Sequence, residues 1–224
     1  MSNNKDFRQT IPWRIFRIMS EFVEGFGFIV DFKKTTSIFG SSKVREDNFW
    51  YQEAEKLAKI LGENKFTIVT GGGPGIMEAA NKGATEANAQ SVGLSIELPF
   101  EQPINSYVKK SVSFHYFFVR KVMLTYAAEA YVFFPGGFGT LDEMTELVSL
   151  IQTKKIHQVP IILVGVDYWQ GLLKWIKEVV YEKYQAIDEQ DLKIYKLVDS
   201  AEEAYQLISS SVKERKYFEE MEHN

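Results

Sequence analysis

FTIVT-GGGPG-IMEAANKGATEAN, residues 66–88, reads as a short apolar β run, a glycine loop and a helix. The same grammar returns at 131–143, where YVFFP runs into GGFGT and then LDE at a helix start. Working outward, TTSIFG (35–40), SVGLSI (91–96), VPIILVG (159–165) and KIYKLV (193–198) are further β runs. Between them lie an amphipathic segment at 47–62, a helix through FFVRKVMLTYAAEA, a helix over 168–183 and a last helix from Ser200. The order is βαβαβαβαβαβα. Near-continuous apolar strands alternating with helices predict an α/β fold: a doubly wound, Rossmann-like parallel sheet with helices on both faces. Ligands of such sheets bind beyond the carboxyl ends of the strands, which directs attention to the loops after residues 40, 70, 96 and 135.

Before the first strand, WRIFRIMSEFVEGFGF spaces Trp13, Phe16, Phe22, Val23 and Phe26 as a helical apolar stripe, with Pro12 at a first-turn position. Residues 1–30 are therefore expected to be an N-terminal helical extension that packs on the main unit or on another subunit. Residues 31–224 are expected to be one nucleotide-binding domain, since no linker rich in Pro, Gly or Ser divides them.

Composition removes several function classes. Lys and Arg number 26 against 30 Asp and Glu, so a nucleic-acid partner is not expected, although a small phosphorylated ligand needs only a local positive field. There is no Cys, which excludes disulfides, thiolate metal sites and cysteine nucleophiles; three His leave little for a metal cluster or a serine triad. No apolar run is long enough to span a bilayer as a helix, and the polar start MSNNKDFRQTIPWR lacks a secretory pattern. The expectation is a cytoplasmic protein with no metal, no membrane partner and no nucleic-acid partner.

Both glycine loops place backbone N–H groups at a helix start, where anions bind. GGGPG lacks the G-x-G-x-x-G spacing of dinucleotide sites, and neither loop is a Walker A sequence. Either loop alone can be a tight βα turn; two in one sheet favour a phosphate-containing ligand. Thr140 and Glu143 also read as a T-x-x-E capping box, and Asp142 and Glu143 as the acidic first turn that a helix dipole favours. An Arg120–Lys121 pair in an apolar aromatic helix is costly unless it reaches a ligand or carboxylate, or one of the two snorkels to solvent. His115 reads as a packed or capping residue rather than a catalyst.

GGGPGIMEAAN (71–81), FFVRKVM (117–123) and PGGFGTLDE (135–143) together resemble the LOG (Lonely Guy) family, often labelled lysine decarboxylase-like, from about Thr35 to Val180. The residues before the first strand resemble the extension of its longer bacterial members. The resemblance implies a phosphoribohydrolase that cleaves a nucleoside 5′-monophosphate, such as AMP or a cytokinin nucleotide, to free base and ribose 5-phosphate without a cofactor. It makes Arg120 and Glu143 the catalytic pair. Gly136, Gly137, Gly139 and Thr140, with Asp142 beside them, form the phosphate loop; Gly72, Gly73, Lys121 and Glu101 are substrate contacts. Many relatives carry Gly-Ser-Ala-Arg after the first strand; here it is Gly40-Ser41-Ser42-Lys43, which keeps the charge and loses the guanidinium fork. The resemblance also implies a homo-oligomer with sites near the subunit boundary. A decarboxylase would need pyridoxal phosphate on a lysine, and no segment singles one out. Two alternatives stay open: a non-catalytic nucleotide carrier or sensor, and a general purine/pyrimidine nucleotidase.

Overall fold

In a computed structural model, which describes residues 11–97 and 103–211, seven parallel strands form one sheet. The strands are β1 (Thr35–Phe39), β2 (Thr67–Thr70), β3 (Ser91–Ile96), β4 (Lys110–Phe114), β5 (Ala130–Phe133), β6 (Ile161–Val164) and β7 (Tyr195–Val198). Their spatial order is β4-β3-β2-β1-β5-β6-β7. The chain thus winds outward in one direction from β1 through β4, then returns to the other side of β1 and winds the opposite way. The doubly wound expectation is met, and the reversal falls between β1 and β5, paired in register from Thr36↔Ala130 to Phe39↔Phe133.

Alternation along the strands feeds two cores. Ile38, Ile68, Val132, Phe134 and Ile162 face α2 (Phe49–Glu63), α3 (Ile76–Glu86) and α7 (Ala201–Ser211). Phe39, Val69, Leu94, Phe133 and Leu163 face the other way, toward Met123 of α4 (Phe117–Tyr126), Leu147 of α5 (Phe138–Gln152) and Trp169 of α6 (Val166–Trp175). α6 runs on as a π-helical stretch, Ile176–Lys183.

One strand lies outside the expected order. KSVSF, β4, is the sheet edge, with Lys110, Ser111 and Ser113 exposed and only Val112 and Phe114 buried. An edge strand with one wet face alternates and shows no apolar run, so these five residues carry no β signal of the kind the buried strands do.

The N-terminal helix α1 (Ile11–Ile29) divides its apolar residues between two environments. Phe22 and Phe26 pack on the core, Phe26 edge-on to Tyr126 at 5.8 Å, and Gly25 lies so close to Met123 and Phe114 that a Cβ would collide with them. Trp13, Phe16 and Val23 are exposed. Among the described residues no helix is long and apolar enough to cross a membrane.

Candidate active site

The loops after β1 and β5 diverge at the reversal point and open a cleft of about 560 Å³. Short backbone bonds fix its floor: Phe134 N–H to Phe39 O at 2.9 Å, Ser41 N–H to Pro135 O at 3.0 Å, and Ile76 N–H to Ser41 O at 3.0 Å. The last tethers the start of α3, where Gly75 has φ +71° and a Cβ would strike the Ser41 carbonyl. Tyr168 closes one side with its hydroxyl donating to Gly136 O at 2.7 Å.

α5 enters the cleft with its N-terminus. Its N-cap is Gly137, and no side chain caps it. This corrects the expected capping box: the helix begins at Phe138, so Thr140 lies inside the first turn and Asp142 and Glu143 lie beyond it. Thr140 and Leu141 N–H groups return to Gly137 O at 3.0 and 3.1 Å, which leaves the amides of Phe138 and Gly139 open to an anion. A Cβ at Gly137 or Gly139 would meet nothing within 4 Å, so internal packing does not require glycine there; both line the cleft.

Glu143 projects from α5 into this cleft and is 6% exposed. Burial lifts its carboxyl from the ordinary 4.5 to about 7, against the opposing pull of Arg120 and Lys121 and with a further push from Glu146 and Asp142. Arg120, from the first turn of α4, reaches the same cleft. Its Nε donates to Leu94 O of β3 at 2.7 Å, and its guanidinium lies about 5.9 Å from the Phe117 ring centre. Burial lowers its pKa and Glu143 raises it; an arginine stays charged under such pressure. The two groups sense each other without a direct ion pair, so each keeps atoms free for a third party.

The first glycine loop forms the next wall. Gly71 passes against the Arg120 guanidinium, and Gly72 has φ +74°. Asn105 pins the loop from below: its amide nitrogen donates to Gly72 O at 3.1 Å, Gly73 O at 2.9 Å and Asn81 Oδ1 at 3.0 Å. Thr70 Oγ1 donates to the same Asn81 oxygen at 2.7 Å and accepts Gly72 N–H at 2.9 Å. Beside this loop lies a hollow of about 210 Å³, lined by Gly72, Gly73, Ser95 and Ile104, which shares Arg120, Phe117 and Met77 with the main cleft.

The fold therefore brings Arg120, Glu143, Gly136, Gly137, Gly139, Thr140 and Asp142 to one cleft, with Gly72 and Gly73 at its flank. Lys121 is directed elsewhere: neither it nor Arg120 snorkels, and its Nζ sits 2.7 Å from Asp142 and 3.0 Å from Glu146, bridging α4 to α5. Glu101 lies outside the described residues. His115 is exposed on the surface, its ring edge-on to that of Tyr116 at 5.0 Å and its Nδ1 3.0 Å from Glu97 Oε2. Lys43, at the position of the family's arginine, lines the cleft as an exposed residue. Sequence reasoning missed Asn105, Thr70 and Tyr168. A signal existed only for Asn81, the partner of Asn105 and Thr70, a poor helix former that follows Ala79 and Ala80 in the helix.

A model of the family described as possible lysine decarboxylase matches residues 77–208. A probable cytokinin riboside 5′-monophosphate phosphoribohydrolase of Arabidopsis thaliana, LOG6, is 31% identical over 160 residues, 68% of this chain and 77% of that protein. A pyrimidine/purine nucleotide 5′-monophosphate nucleosidase of Escherichia coli strain K12 is 27% identical over 158 residues, covering 64% of this chain but 34% of that protein. Among solved structures, a molybdenum cofactor binding protein from the phototrophic bacterium Rippkaea orientalis superposes with a TM-score of 0.59 at 18% identity, covering 79% of this chain and 94% of that one. At that identity the likeness speaks for the fold alone. With more than half of its residues matched to the family model, and 31% identity to a plant phosphoribohydrolase that it covers over most of its length, the chain belongs to the possible lysine decarboxylase, or LOG, family.

Proposed function

We propose that this chain hydrolyses the N-glycosidic bond of nucleoside 5′-monophosphates, releasing free base and ribose 5-phosphate. The observation that carries the reading is Glu143: a buried carboxyl with a pKa near 7, facing the half-buried Arg120, little more than one turn from a helix N-terminus with open amides. In this reading the 5′-phosphate binds at the Gly136–Thr140 loop and the first amides of α5, with the helix dipole in its favour. That anchor brings the ribose over Glu143 and Arg120, and the base lies toward Met77, Phe117 and the Gly72–Gly73 wall.

N-glycoside cleavage develops positive charge on the ribose ring. An ionised Glu143 stabilises it and takes a proton from the attacking water. Water oxygen bonds to C1′ as its proton passes to Glu143, and the C1′–N bond breaks. The base leaves with the bonding pair and takes up a proton, the one on Glu143 being handed on so that the carboxylate is restored. Arg120 holds substrate oxygens and keeps Glu143 ionised more of the time. Lys121 ties α4 to α5 and so sets the distance between the pair, with Asp142 as its partner at the cleft edge. No step draws on a cofactor. Decarboxylation fits less well, since the lysine of the cleft, Lys43, is exposed and lacks the desolvated surroundings that favour Schiff-base chemistry. A nucleotide substrate and a cysteine-free chain both suit the cytoplasm.

The test is a product assay over a panel of purine and pyrimidine monophosphates, with and without an isopentenyl group on adenine. Free base and ribose 5-phosphate in equal amounts support the reading. Tight nucleotide binding with no base released would instead make the protein a carrier or sensor.

A further inference from the structure

Glu21 is a buried carboxylate in α1, far in sequence from every motif of the cleft. Its Oε2 accepts the amide of Tyr116 at 3.1 Å and its Oε1 the amide of His115 at 3.3 Å. Tyr116 is the N-cap of α4, and its own side chain makes no capping hydrogen bond. The cap of this helix is thus supplied by another helix. The Tyr116 carbonyl in turn accepts the N–H of Val119 at 3.1 Å and of Arg120 at 3.2 Å. A single residue therefore stands between the Glu21 carboxylate and the backbone of Arg120.

Ion pairing accounts poorly for a buried charge at Glu21. Arg17 approaches it only to 3.9 Å and is equally far from Glu97, whose Oε2 is engaged by His115. An apolar residue would fill the same space without the cost of burying a charge. What the carboxylate adds is a fixed acceptor for two backbone donors at the positive end of α4.

We propose that Glu21 is a positioning residue for the cleft: by capping α4 from α1 it sets the height at which Arg120 enters beside Glu143. The N-terminal extension is then a working part of the site. The proposal rests on the proposed function for its catalytic consequence only; the coupling of Glu21 to Glu143 through Arg120 is measurable without turnover.

The readout is the titration of the Glu143 carboxyl, followed by carbon NMR with Glu143→Gln for assignment. The groups facing that carboxyl are Arg120, Lys121, Glu146 and Asp142; Arg17 is the charge beside Glu21, and Glu97 and the His115 ring stand behind it, Glu97 near Arg17 and bonded to His115. Simple electrostatics would make Glu21→Ala lower the Glu143 pKa, since a negative charge is removed. Loss of positioning has the opposite sign. As Arg120 withdraws, Glu143 should titrate higher by about one pH unit, the low end of what an opposite charge contributes. In an Arg120→Met background the Glu21→Ala change should add nothing further, the mark of an effect that runs through the arginine.

Hydrolysis of AMP, if the wild type performs it, should fall about tenfold or more in Glu21→Ala, with its acid limb displaced upward by the same amount as the NMR titration. A merely destabilised protein scales the rate at every pH and leaves the limb in place. If Glu21→Ala fails to fold, Glu21→Gln, which keeps one acceptor, carries the test with a smaller shift of the same sign. A Glu143 titration unchanged or lowered in the folded variant overturns the proposal. Absence of turnover in the wild type, with the titration shifting as described, overturns the proposed function instead.

Discussion

The guanidinium of Arg120 occupies the space where a Cβ on Gly71 would stand, with Met77 Sδ also only 2.9 Å from that point. The backbone of the first glycine loop and the arginine of α4 thus exclude any side chain between them. This is a close-approach glycine whose partner is a site residue, and it gives the loop a role beyond turning the chain.

Gly71→Ala is therefore expected to separate activity from stability. The obstructed atoms are the ends of flexible side chains, so the fold can yield locally, and the midpoint of thermal unfolding should change little. Arg120 must move to do so. Hydrolysis should drop by about a hundredfold, the scale of a displacement near 1 Å in a catalytic group. Equal kcat/KM in the variant and the parent would detach Arg120 from the chemistry.

How much of the molecule is legible in its sequence depends on where each residue finds its partners. Strands β1, β2, β3, β5 and β6 are buried on both faces, so their apolar runs announce themselves, and the two glycine loops follow from strand ends. Arg120 is visible as a charge where charge is costly. Asn105 and Glu21 are not, because their partners lie far along the chain: His115 is 94 residues from Glu21, and Gly72 is 33 from Asn105. The capping box fails for a local reason. T-x-x-E matches the pattern, but the flexible Gly136-Gly137 pair lets α5 start two residues before Thr140 and turns Glu143 into an interior group.

Glu143→Gln tests the carboxyl directly. Turnover should fall at least about a hundredfold, as expected for loss of a general base or charge stabiliser. Stability should move the other way. The native carboxyl, with its pKa near 7, holds a proton that the unfolded chain releases near 4.5. Between those values the folded state binds more protons, so wild-type stability declines as pH rises through the window and stays reduced above it. The glutamine variant lacks that penalty. It should match the wild type near pH 4 and exceed it at pH 8 by about 3 kcal/mol, at roughly 1.4 kcal/mol per pH unit over the span from 4.5 to about 7. Parallel stability curves for the two proteins across this range would count against a raised Glu143.

The rate profile carries the same group. If ionised Glu143 is the active form, kcat/KM for AMP should rise with pH and level off above about 7. The substrate phosphate also ionises, near pH 6 by its usual behaviour. The residual activity of Glu143→Gln separates the two, since it retains the phosphate limb alone. A wild-type profile identical in shape to that of the variant would assign the limb to the substrate.

The open amides at α5 predict a strong preference for the phosphorylated substrate. AMP should be cleaved far better than adenosine, because phosphate binding positions the sugar. A chelator should leave the rate unchanged, as the proposed steps use only side chains and water. Comparable kcat/KM for nucleotide and nucleoside would remove the Gly136–Thr140 loop from substrate binding.

Assembly supplies the last prediction. Ile11, Ile15, Met19 and Val23 recur every four residues along α1, all exposed, with Phe16 beside them at 65% exposure. They form an apolar row that drifts by about 40° per step around the helix, beside the buried Glu21 and Gly25. Phe117 and Phe118, next to Arg120 at the start of α4, are also about half exposed. A contiguous apolar face of this kind is unfavourable in water and marks an interface in most soluble proteins. A second copy is the simplest cover, since a two-fold axis buries the same stripe on both chains. The full-length protein should therefore scatter light as a dimer or higher species, not as a 25.8 kDa monomer. Replacing Ile15 and Val23 together with Glu should shift it toward the monomer. Both positions are exposed and leave the Glu21 cap untouched, so the described fold should persist by circular dichroism. A wild type that is monomeric at micromolar concentration, or a double variant with unaltered mass, would rule out the stripe as a self-association surface.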